Sequence, residues 1–335
     1  MKKIDIHTHI MPEKLPNWFE KFGYGEFIHL EHDAAKPCCA RMIKGNQFFR
    51  EIESNCWEPK DRLKEMKDTD VHVQVLSTIP VLFNYWAKPE HGLETSRFLN
   101  DHICQCVEHH PEHFIGLGTV PMQDPDLAIR EMERVVKELK LPGIEIGSNV
   151  NQKNLGEPQW DAFWEAAQDL NCSIFIHPWE MMGEDDMKKY WLPWLVGMPA
   201  ETSRAICSLL FAGVLEKYPR LRFAFAHGGG SFPATVGRVE HGFKVRPDLC
   251  AIDNPKSPRD YLGKFWVDSL VHDEDSFRLL QTVIGDDKIC CGSDYPFPLG
   301  EHRPGELIES MDISDEIKAK MLADNALDWL GMAAH

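Results

Sequence analysis

Two histidines lie one residue apart near the start of the chain, in the stretch IDIHTHI at positions 4–10. In an extended strand, residues i and i+2 share a face, so the side chains of His7 and His9 point the same way. Neutral imidazoles held close together are good ligands for zinc. Most isolated His-X-His sequences are nevertheless surface or packing residues, because histidine is only intermediate in burial. The pair therefore indicates a metal site only if further ligands converge on it.

Three more side chains of the ligand type come at the end of apolar, strand-like runs. SIFIHP brings His177, FAFAHGGG brings His227, and CCGSDYP brings Asp294. Each alone could be an accident of core or loop composition. If all these runs are strands of one parallel barrel, their carboxyl ends meet at a single face, where barrel enzymes keep their active sites. The fold therefore decides whether these residues form one site.

The apolar runs predict eight strands, at 4–9, 71–78, 114–120, 143–148, 173–178, 222–229, 265–270 and 288–294. Stretches with apolar residues three and four positions apart predict amphipathic helices at 124–140, 157–170, 201–218, 275–285 and 313–331, the last with Gly331 as its stop. Another helix is expected to begin near Pro59. Strand followed by helix, eight times over, predicts a parallel (β/α)8 TIM barrel. We expect residues 1–335 to form this single domain, with an inserted lobe at about 12–57 over the barrel mouth.

A mononuclear zinc site fits these residues. A catalytic zinc ion usually keeps a few protein ligands and an open position for water. His7, His9, His177 and Asp294 can provide that set, one zinc ion per chain. His227 is then left as a base that accepts a proton from water whose pKa the ion has lowered.

The alternative is a second metal ion on His227. Such a pair of ions usually needs a bridging lysine carboxylate from the fourth strand. That strand reads GIEIGS, with Glu145 and no lysine. The sequence therefore favours one metal ion.

Composition limits the partners. The 335 residues carry a net charge of −17, and a surface this acidic disfavours binding to nucleic acid. No apolar segment follows the MKKID start, and the longest apolar run, at 205–215, is about half of the ~20 residues that span a bilayer. The ten cysteines include no CxxC pair, as expected for reduced, structural thiols. We expect a soluble cytoplasmic protein without a membrane or nucleic-acid partner.

The chain resembles the amidohydrolase superfamily and, within it, a branch of decarboxylases. The superfamily motifs are HTH (7–9), HPW (177–179), AHGGG (226–230) and GSDYPFPLGE (292–301). Matches to the decarboxylase branch are KFGYG (21–25), CWEP (56–59), NYWAKPE (84–90), YWLPWLVGMPAET (190–202) and VGRVEHGF (236–243). They run from end to end, so the resemblance covers essentially the whole chain.

The resemblance implies a zinc enzyme of tryptophan catabolism. Its substrate would be the dicarboxylate 2-amino-3-carboxymuconate 6-semialdehyde, and its products 2-aminomuconate 6-semialdehyde and carbon dioxide. It also implies the ligand and base roles given above. Arg50 and Arg238 match arginines that hold the substrate carboxylates, which suits a dicarboxylate because a guanidinium binds a carboxylate with two hydrogen bonds. Arg238 is expected to reach the site of a neighbouring subunit in a homodimer.

Four further positions carry less specific signals. Lys44 is a weaker candidate for the anion site, and Trp194, in the aromatic stretch WLPWLVGMP, is predicted to line the pocket. Glu180 stands where the family more often has aspartate, which puts a role for that carboxylate in doubt. Asp5 shares a face with the two N-terminal histidines, and its role stays open.

Two rivals compete with a decarboxylase of this muconate. The first is a relative with the same metal site and different chemistry, either a hydrolase or hydratase or an aromatic-acid decarboxylase. The second is a metal-binding barrel without catalysis. A complete set of ligands, a base and two arginines of the carboxylate-binding kind disfavour the second rival.

Overall fold

Each of the eight predicted runs contains a strand in the computed structural model, which describes residues 1–332. The strands of the chain are β1 (Ile4–Ile10), β2 (Ile28–His32), β3 (Cys39–Lys44), β4 (Gln47–Glu53), β5 (Val73–Thr78), β6 (Phe114–Gly118), β7 (Gly143–Gly147), β8 (Asn149–Val150), β9 (Lys153–Asn154), β10 (Ser173–His177), β11 (Arg222–Phe225), β12 (Trp266–Asp268) and β13 (Ile289–Cys290). Eight of them form one sheet in the order β1-β5-β6-β7-β10-β11-β12-β13, and neighbours run parallel.

Backbone hydrogen bonds join the two edges of this sheet. The N–H of Ile6 donates to Cys291 O at 2.9 Å, and the N–H of His9 donates to Tyr295 O at 2.8 Å. The sheet is therefore a nearly closed barrel, and the predicted (β/α)8 TIM barrel is confirmed.

Helices follow the barrel strands along the chain, as the sequence pattern predicts. They are α1 (Trp18–Phe22), α2 (Pro59–Asp68), α3 (Pro89–His109), α4 (Pro125–Lys137), α5 (Asp161–Asp169), α6 (Met198–Phe211), α7 (Val214–Lys217), α8 (Phe232–Val245), α9 (Pro247–Cys250), α10 (Glu274–Ile284), α11 (Glu306–Ser310), α12 (Asp315–Ala319) and α13 (Asn325–Leu330). The helix predicted at 201–218 divides into α6 and α7 because Gly213 is left-handed, with φ 69°. The segment predicted at 313–331 contains α12, a π-helical turn and α13, and it ends at left-handed Gly331.

The amino end of the barrel is filled. Phe175 and Trp329 belong to an apolar cluster inside the sheet, and α13 supplies Trp329. The carbonyl oxygen of Trp329 accepts hydrogen bonds from Ser173 Oγ at 2.8 Å and Arg222 Nε at 2.6 Å, both on first residues of barrel strands. With the amino end covered by α13, the carboxyl end is the face left for a site.

The interval predicted as a lobe, 12–57, holds α1 and the antiparallel sheet β2-β3-β4. Its apolar face, which includes Met42 and Ile52, packs against Ile79 and Leu82 just after β5. The three-stranded sheet therefore lies over the carboxyl ends of the first barrel strands. Among residues 1–332, no helix combines the length and apolar character needed to cross a lipid bilayer.

Candidate active site

Five of the predicted site residues meet at the carboxyl end of the barrel. One ligand atom from each of His7, His177, His227 and Asp294 lies within 4.8 Å of the other three. His9 joins them, with its Nε2 atom 3.0 Å from Asp294 Oδ1. The structure thus brings the five together as the sequence predicts, while their division into ligands and base stays a prediction.

Two of the five reach the cluster from turns rather than from strands, which corrects the expected strand ends. β11 ends at Phe225 and β13 at Cys290, whereas His227 and Asp294 follow them with φ 58° each. Left-handed backbone at a residue with a side chain costs free energy, so the surrounding hydrogen bonds must hold both turns. Gly292 makes room for the second turn, because a Cβ there would lie 2.7 Å from Asp268 Cβ.

Hydrogen bonds fix the tautomer of three of the histidines. Each Nδ1 faces an oxygen that can only accept: Asp268 Oδ2 at 2.6 Å for His7, Thr78 O at 2.9 Å for His9 and Pro178 O at 3.0 Å for His177. The proton of each neutral ring therefore sits on Nδ1, and Nε2 carries a lone pair. All three Nε2 atoms are buried without a hydrogen-bond partner. Lone pairs that converge on a carboxylate repel one another unless a cation lies among them, so these residues fit a metal ion.

The fourth histidine differs. His227 Nδ1 is buried without a partner, and its Nε2 lies 3.7 Å from Asp294 Oδ2. No acceptor among the described residues fixes its tautomer, so the ring can take up or release a proton on either nitrogen. This contrast supports a proton-transfer role for His227 and ligand roles for the other three.

Charge in the cluster is balanced for a cation. Burial raises the pKa of Asp294, but His7, His227 and His9 outweigh it and hold that pKa well below its usual range. Burial together with the neighbouring His9, His7 and His227 lowers the pKa of His177 well below its usual range. Burial lowers the pKa of His7, but Asp294 and Asp268 outweigh it and raise that pKa to about 10. A divalent metal ion would therefore bind here by displacing the His7 proton.

Asp268, which sequence reasoning did not select, connects a predicted ligand with the predicted base. Its carboxylate lies 2.6 Å from His7 Nδ1 and accepts the backbone N–H groups of His227 at 2.8 Å and Gly228 at 2.7 Å. These bonds hold the His227 turn in its left-handed form. The sequence feature that could have identified Asp268 is its position in FWVDSL. There a carboxylate ends a barrel strand, as His177 does on β10.

We expect Asp268→Asn to weaken metal binding by ~10- to 100-fold, as loss of a ligand's hydrogen-bond partner typically does. His7 Nδ1 and the His227 N–H meet Oδ2, whereas the Gly228 and Leu270 N–H groups meet Oδ1. An amide NH2 in place of either oxygen faces donors, so the turn at His227 and Gly228 loses a bond in either orientation. Metal affinity measured by competition with a chelator checks this. Asp273→Asn is the control, at an exposed helix cap whose carboxylate accepts from Ser276. Equal affinities in the two variants would contradict the anchoring role.

Two other buried carboxyl groups flank the cluster. Asp5 accepts the N–H groups of His7 at 3.2 Å and Ser293 at 3.1 Å, and burial raises its pKa to about 7. Burial also raises the pKa of Glu145 well above its usual range, and its Oε1 lies 3.7 Å from His9 Nδ1. Burial therefore favours the neutral form of Glu145, which makes it a poor bridging ligand for a second metal ion.

A cavity opens from the cluster toward the antiparallel sheet. Its walls are mainly aromatic and aliphatic, and they are formed by His9, Phe49, Arg50, Ile79, Pro80, Val81, His177, Trp179, Trp191, Trp194, Met198, Asp294, Phe297, Pro298 and Leu299. Arg50, on β4, is the only lysine or arginine among these lining residues. Its guanidinium carbon lies 4.7 Å from the Phe297 ring centre and 6.0 Å from that of Trp194. The Arg50 guanidinium thus lies near the rings of Phe297 and Trp194, beside the metal-type cluster of His7, His9, His177, His227 and Asp294. This arrangement suits a planar, conjugated carboxylate.

The remaining predicted residues lie outside this cavity, except Trp194. Lys44 Nζ is 3.9 Å from Glu26 Oε2, and Lys44 does not line the cavity. Arg238 is exposed on α8 and does not line the cavity of its own chain. Glu180 is half-buried with φ 53° and lines an adjacent depression instead. Trp191, which was not predicted, lines the cavity together with Trp194.

Comparison with known proteins agrees with this geometry. The amidohydrolase family model matches residues 4–332. The 2-amino-3-carboxymuconate-6-semialdehyde decarboxylase of Dictyostelium discoideum is 55% identical over 331 residues, 98% of this chain and 92% of that protein. The enzyme of the same name from Caenorhabditis elegans is 36% identical, over 98% of this chain and 94% of that protein. A dihydroxybenzoic acid decarboxylase from Polaromonas sp., solved with bound manganese, superposes with a TM-score of 0.79 at 22% identity, covering 98% and 97% of the two chains.

The chain belongs to the amidohydrolase family. Within that family it is closely similar to 2-amino-3-carboxymuconate-6-semialdehyde decarboxylases, and it is an enzyme of the decarboxylase class. The expected superfamily and enzyme class are therefore confirmed.

Proposed function

We propose that the chain catalyses the zinc-dependent, non-oxidative decarboxylation of 2-amino-3-carboxymuconate 6-semialdehyde in tryptophan catabolism. The observation that carries the proposal is the cavity itself, which His9, His177 and Asp294 of the cluster line together with Arg50. The chain is also 55% identical to an enzyme of that name. The identities of 55% and 36% to enzymes of that name favour the muconate over an aromatic acid. The ten free cysteines support a reducing compartment, and we place the enzyme in the cytoplasm.

His7, His9, His177 and Asp294 would hold the metal ion. When bound, zinc supplies a Lewis acid without redox chemistry and lowers the pKa of water. Arg50 binds a substrate carboxylate through paired hydrogen bonds and aligns the bond to be broken. The aromatic walls restrict bulk water around the conjugated chain.

His227 moves the proton. Water adds across the double bond beside the leaving carboxylate: hydroxide goes to the neighbouring carbon, and the proton, carried by His227, goes to the carbon that bears the carboxylate. The bond to the carboxylate then breaks and carbon dioxide leaves. Its electron pair re-forms the double bond and expels the hydroxide, so that conjugation returns and no water is consumed.

A spectrophotometric assay with freshly generated muconate semialdehyde tests the proposal. The zinc-loaded protein should remove the substrate absorbance and release one carbon dioxide per substrate, and a chelator should stop the reaction reversibly. A dihydroxybenzoate offered in parallel should be turned over far more slowly. Faster turnover of the benzoate, or a hydrated product without carbon dioxide release, would overturn the proposed substrate or reaction.

We expect Arg50→Lys to raise KM by ~10- to 100-fold, with a smaller change in kcat. Lysine keeps the charge but not the planar pair of donors, and a charge-assisted hydrogen bond contributes roughly 1.5–3 kcal/mol. Steady-state kinetics check this. The matched control is Arg41→Lys on the neighbouring strand, where an exposed arginine pairs with Glu31 at 2.9 Å. A KM of Arg50→Lys equal to that of the control would exclude carboxylate binding by Arg50.

We also propose that the enzyme works as a homodimer in which Arg238 binds the second carboxylate in the partner's cavity. Two observations support this: Arg50 is the only lysine or arginine among the lining residues, and Arg238 points outward on α8. Val245 and Leu249, 55% and 58% exposed, lie farther along the same segment and offer apolar surface for a partner.

Mixing two inactive variants tests the dimer. Arg238→Ala and His227→Ala should each be inactive alone, and mixed dimers should regain activity because one site then keeps both residues. Activity after co-refolding or subunit exchange is the measurement. A mixture as inactive as its components, with dimers shown by ultracentrifugation, would place Arg238 outside the site.

A further inference from the structure

A buried arginine outside the cavity contacts the main chain of one predicted ligand and the residue that follows another. Arg62 lies on α2 and its side chain is fully buried. Its guanidinium donates to three acceptors: His9 O at 2.7 Å, Asn55 O at 3.0 Å and Gln74 Oε1 at 3.1 Å. The ring of Tyr295, the residue after Asp294, lies 4.7 Å from the guanidinium carbon. One side chain thus touches the strand of one predicted ligand and the turn of another.

This arginine costs folding free energy. No carboxylate oxygen of residues 1–332 lies within 4.0 Å of it, and Nη2 is buried without a hydrogen-bond partner. Burial lowers its pKa, yet a guanidinium stays protonated in proteins. An apolar side chain of similar size at such a place is often neutral or stabilising. Packing alone therefore does not account for Arg62, and its bonds point to a function.

We propose that Arg62 is a positioning residue that sets the metal affinity of the site, an inference that rests on the ligand roles proposed for His9 and Asp294. Its bond to His9 O fixes the main chain that carries one imidazole. Its contact with the Tyr295 ring fixes the turn that carries the carboxylate. The same helix holds the other end of that ring, because Tyr295 Oη donates to Glu65 Oε2 at 2.5 Å.

Only a planar, forked cation can cover the Tyr295 ring and donate to the His9 carbonyl oxygen at the same time. The guanidinium lies against the aromatic ring while its edge donates to main-chain and side-chain oxygens in different directions. A lysine ammonium keeps the charge but is a compact point, so it can reach one carbonyl without covering the ring. Replacing arginine by lysine should therefore loosen His9 relative to Asp294 and leave the charge of the core unchanged.

The test compares Arg62→Lys with Arg222→Lys. Arg222 is also a partly buried guanidinium that donates to a main-chain oxygen, Trp329 O at 2.6 Å, but at the amino end of the barrel. Zinc affinity is measured by competition with a chelator, and thermal stability is measured on the metal-free proteins. We expect Arg62→Lys to bind zinc ~10- to 100-fold more weakly, as loss of a ligand's outer partner does, and excess zinc to restore its activity. Arg222→Lys should bind zinc as the wild type does.

Arg62→Met provides the second variant and should show the same loss of affinity without a lower thermal stability. Zinc affinity equal to wild type in either folded Arg62 variant would overturn the inference, even if stability falls. Failure of the wild-type chain to bind zinc would instead overturn the proposed function, so the two failures are distinguishable.

Discussion

We expect His177→Ala to lose its metal ion together with its activity. His177 Nε2 is buried without a hydrogen-bond partner and faces the space shared with His7 and Asp294. Without the His177 imidazole the proposed ligand set is incomplete. Metal affinity should therefore fall by more than the ~10- to 100-fold that is typical when a ligand loses its hydrogen-bond partner. Elemental analysis of protein purified with equimolar zinc measures the occupancy.

His113→Ala is the matched control for this variant. His113 is an exposed histidine just before β6, and its Nδ1 contacts only the carbonyl oxygen of His72, at 3.3 Å. The control should keep full occupancy and activity. Full zinc occupancy in His177→Ala would rule out the four-ligand arrangement and move the ligand role to His227.

His227→Ala should do the opposite, keeping the metal ion while kcat falls by ~10²- to 10⁴-fold, the usual contribution of a positioned acid or base. The turn that carries His227 is held through its backbone N–H by Asp268, so removal of the imidazole leaves the main chain anchored. Metal content and steady-state kinetics together check the expectation.

Added imidazole refines this test. The alanine variant leaves space beside Asp294, and a small base in solution should restore part of the rate with a dependence on imidazole concentration. Loss of metal in His227→Ala would make the residue a ligand instead of a base. A wild-type rate would remove it from the mechanism.

The barrel could be predicted because its strands are short apolar runs buried on both faces, and such runs are visible without any tertiary information. The lobe at 12–57 lacked periodicity for a physical reason. β3 and β4 bury only part of each strand, and a register shift between Met42 and Ile43 breaks the alternation. An apolar pattern that changes face within one strand does not predict a strand.

The site could be predicted only in part. The histidines of β1 and β10 follow from strand geometry, but the turns at His227 and Asp294 need left-handed backbone at residues with side chains, which no local pattern indicates. Asp268 and Arg62 act through tertiary hydrogen bonds and have no local signal of comparable strength. Arg50 could be selected only through the family resemblance, because NQFFRE does not distinguish it from an exposed arginine such as Arg41.

The contacts that fix the tautomers of His7, His9 and His177 differ in whether a mutation can remove them. For His9 and His177 the acceptor is a main-chain oxygen, of Thr78 and Pro178, and no side-chain substitution deletes a carbonyl group. For His7 the acceptor is a side chain, Asp268, which a single base change can remove. In a saturation scan, most substitutions at position 78 should leave the His9 ring oriented as it is, whereas almost no substitution at position 268 should do so for the His7 ring. Among the contacts that orient these three histidines, a substitution can therefore remove only the one to His7, at a residue that does not line the cavity.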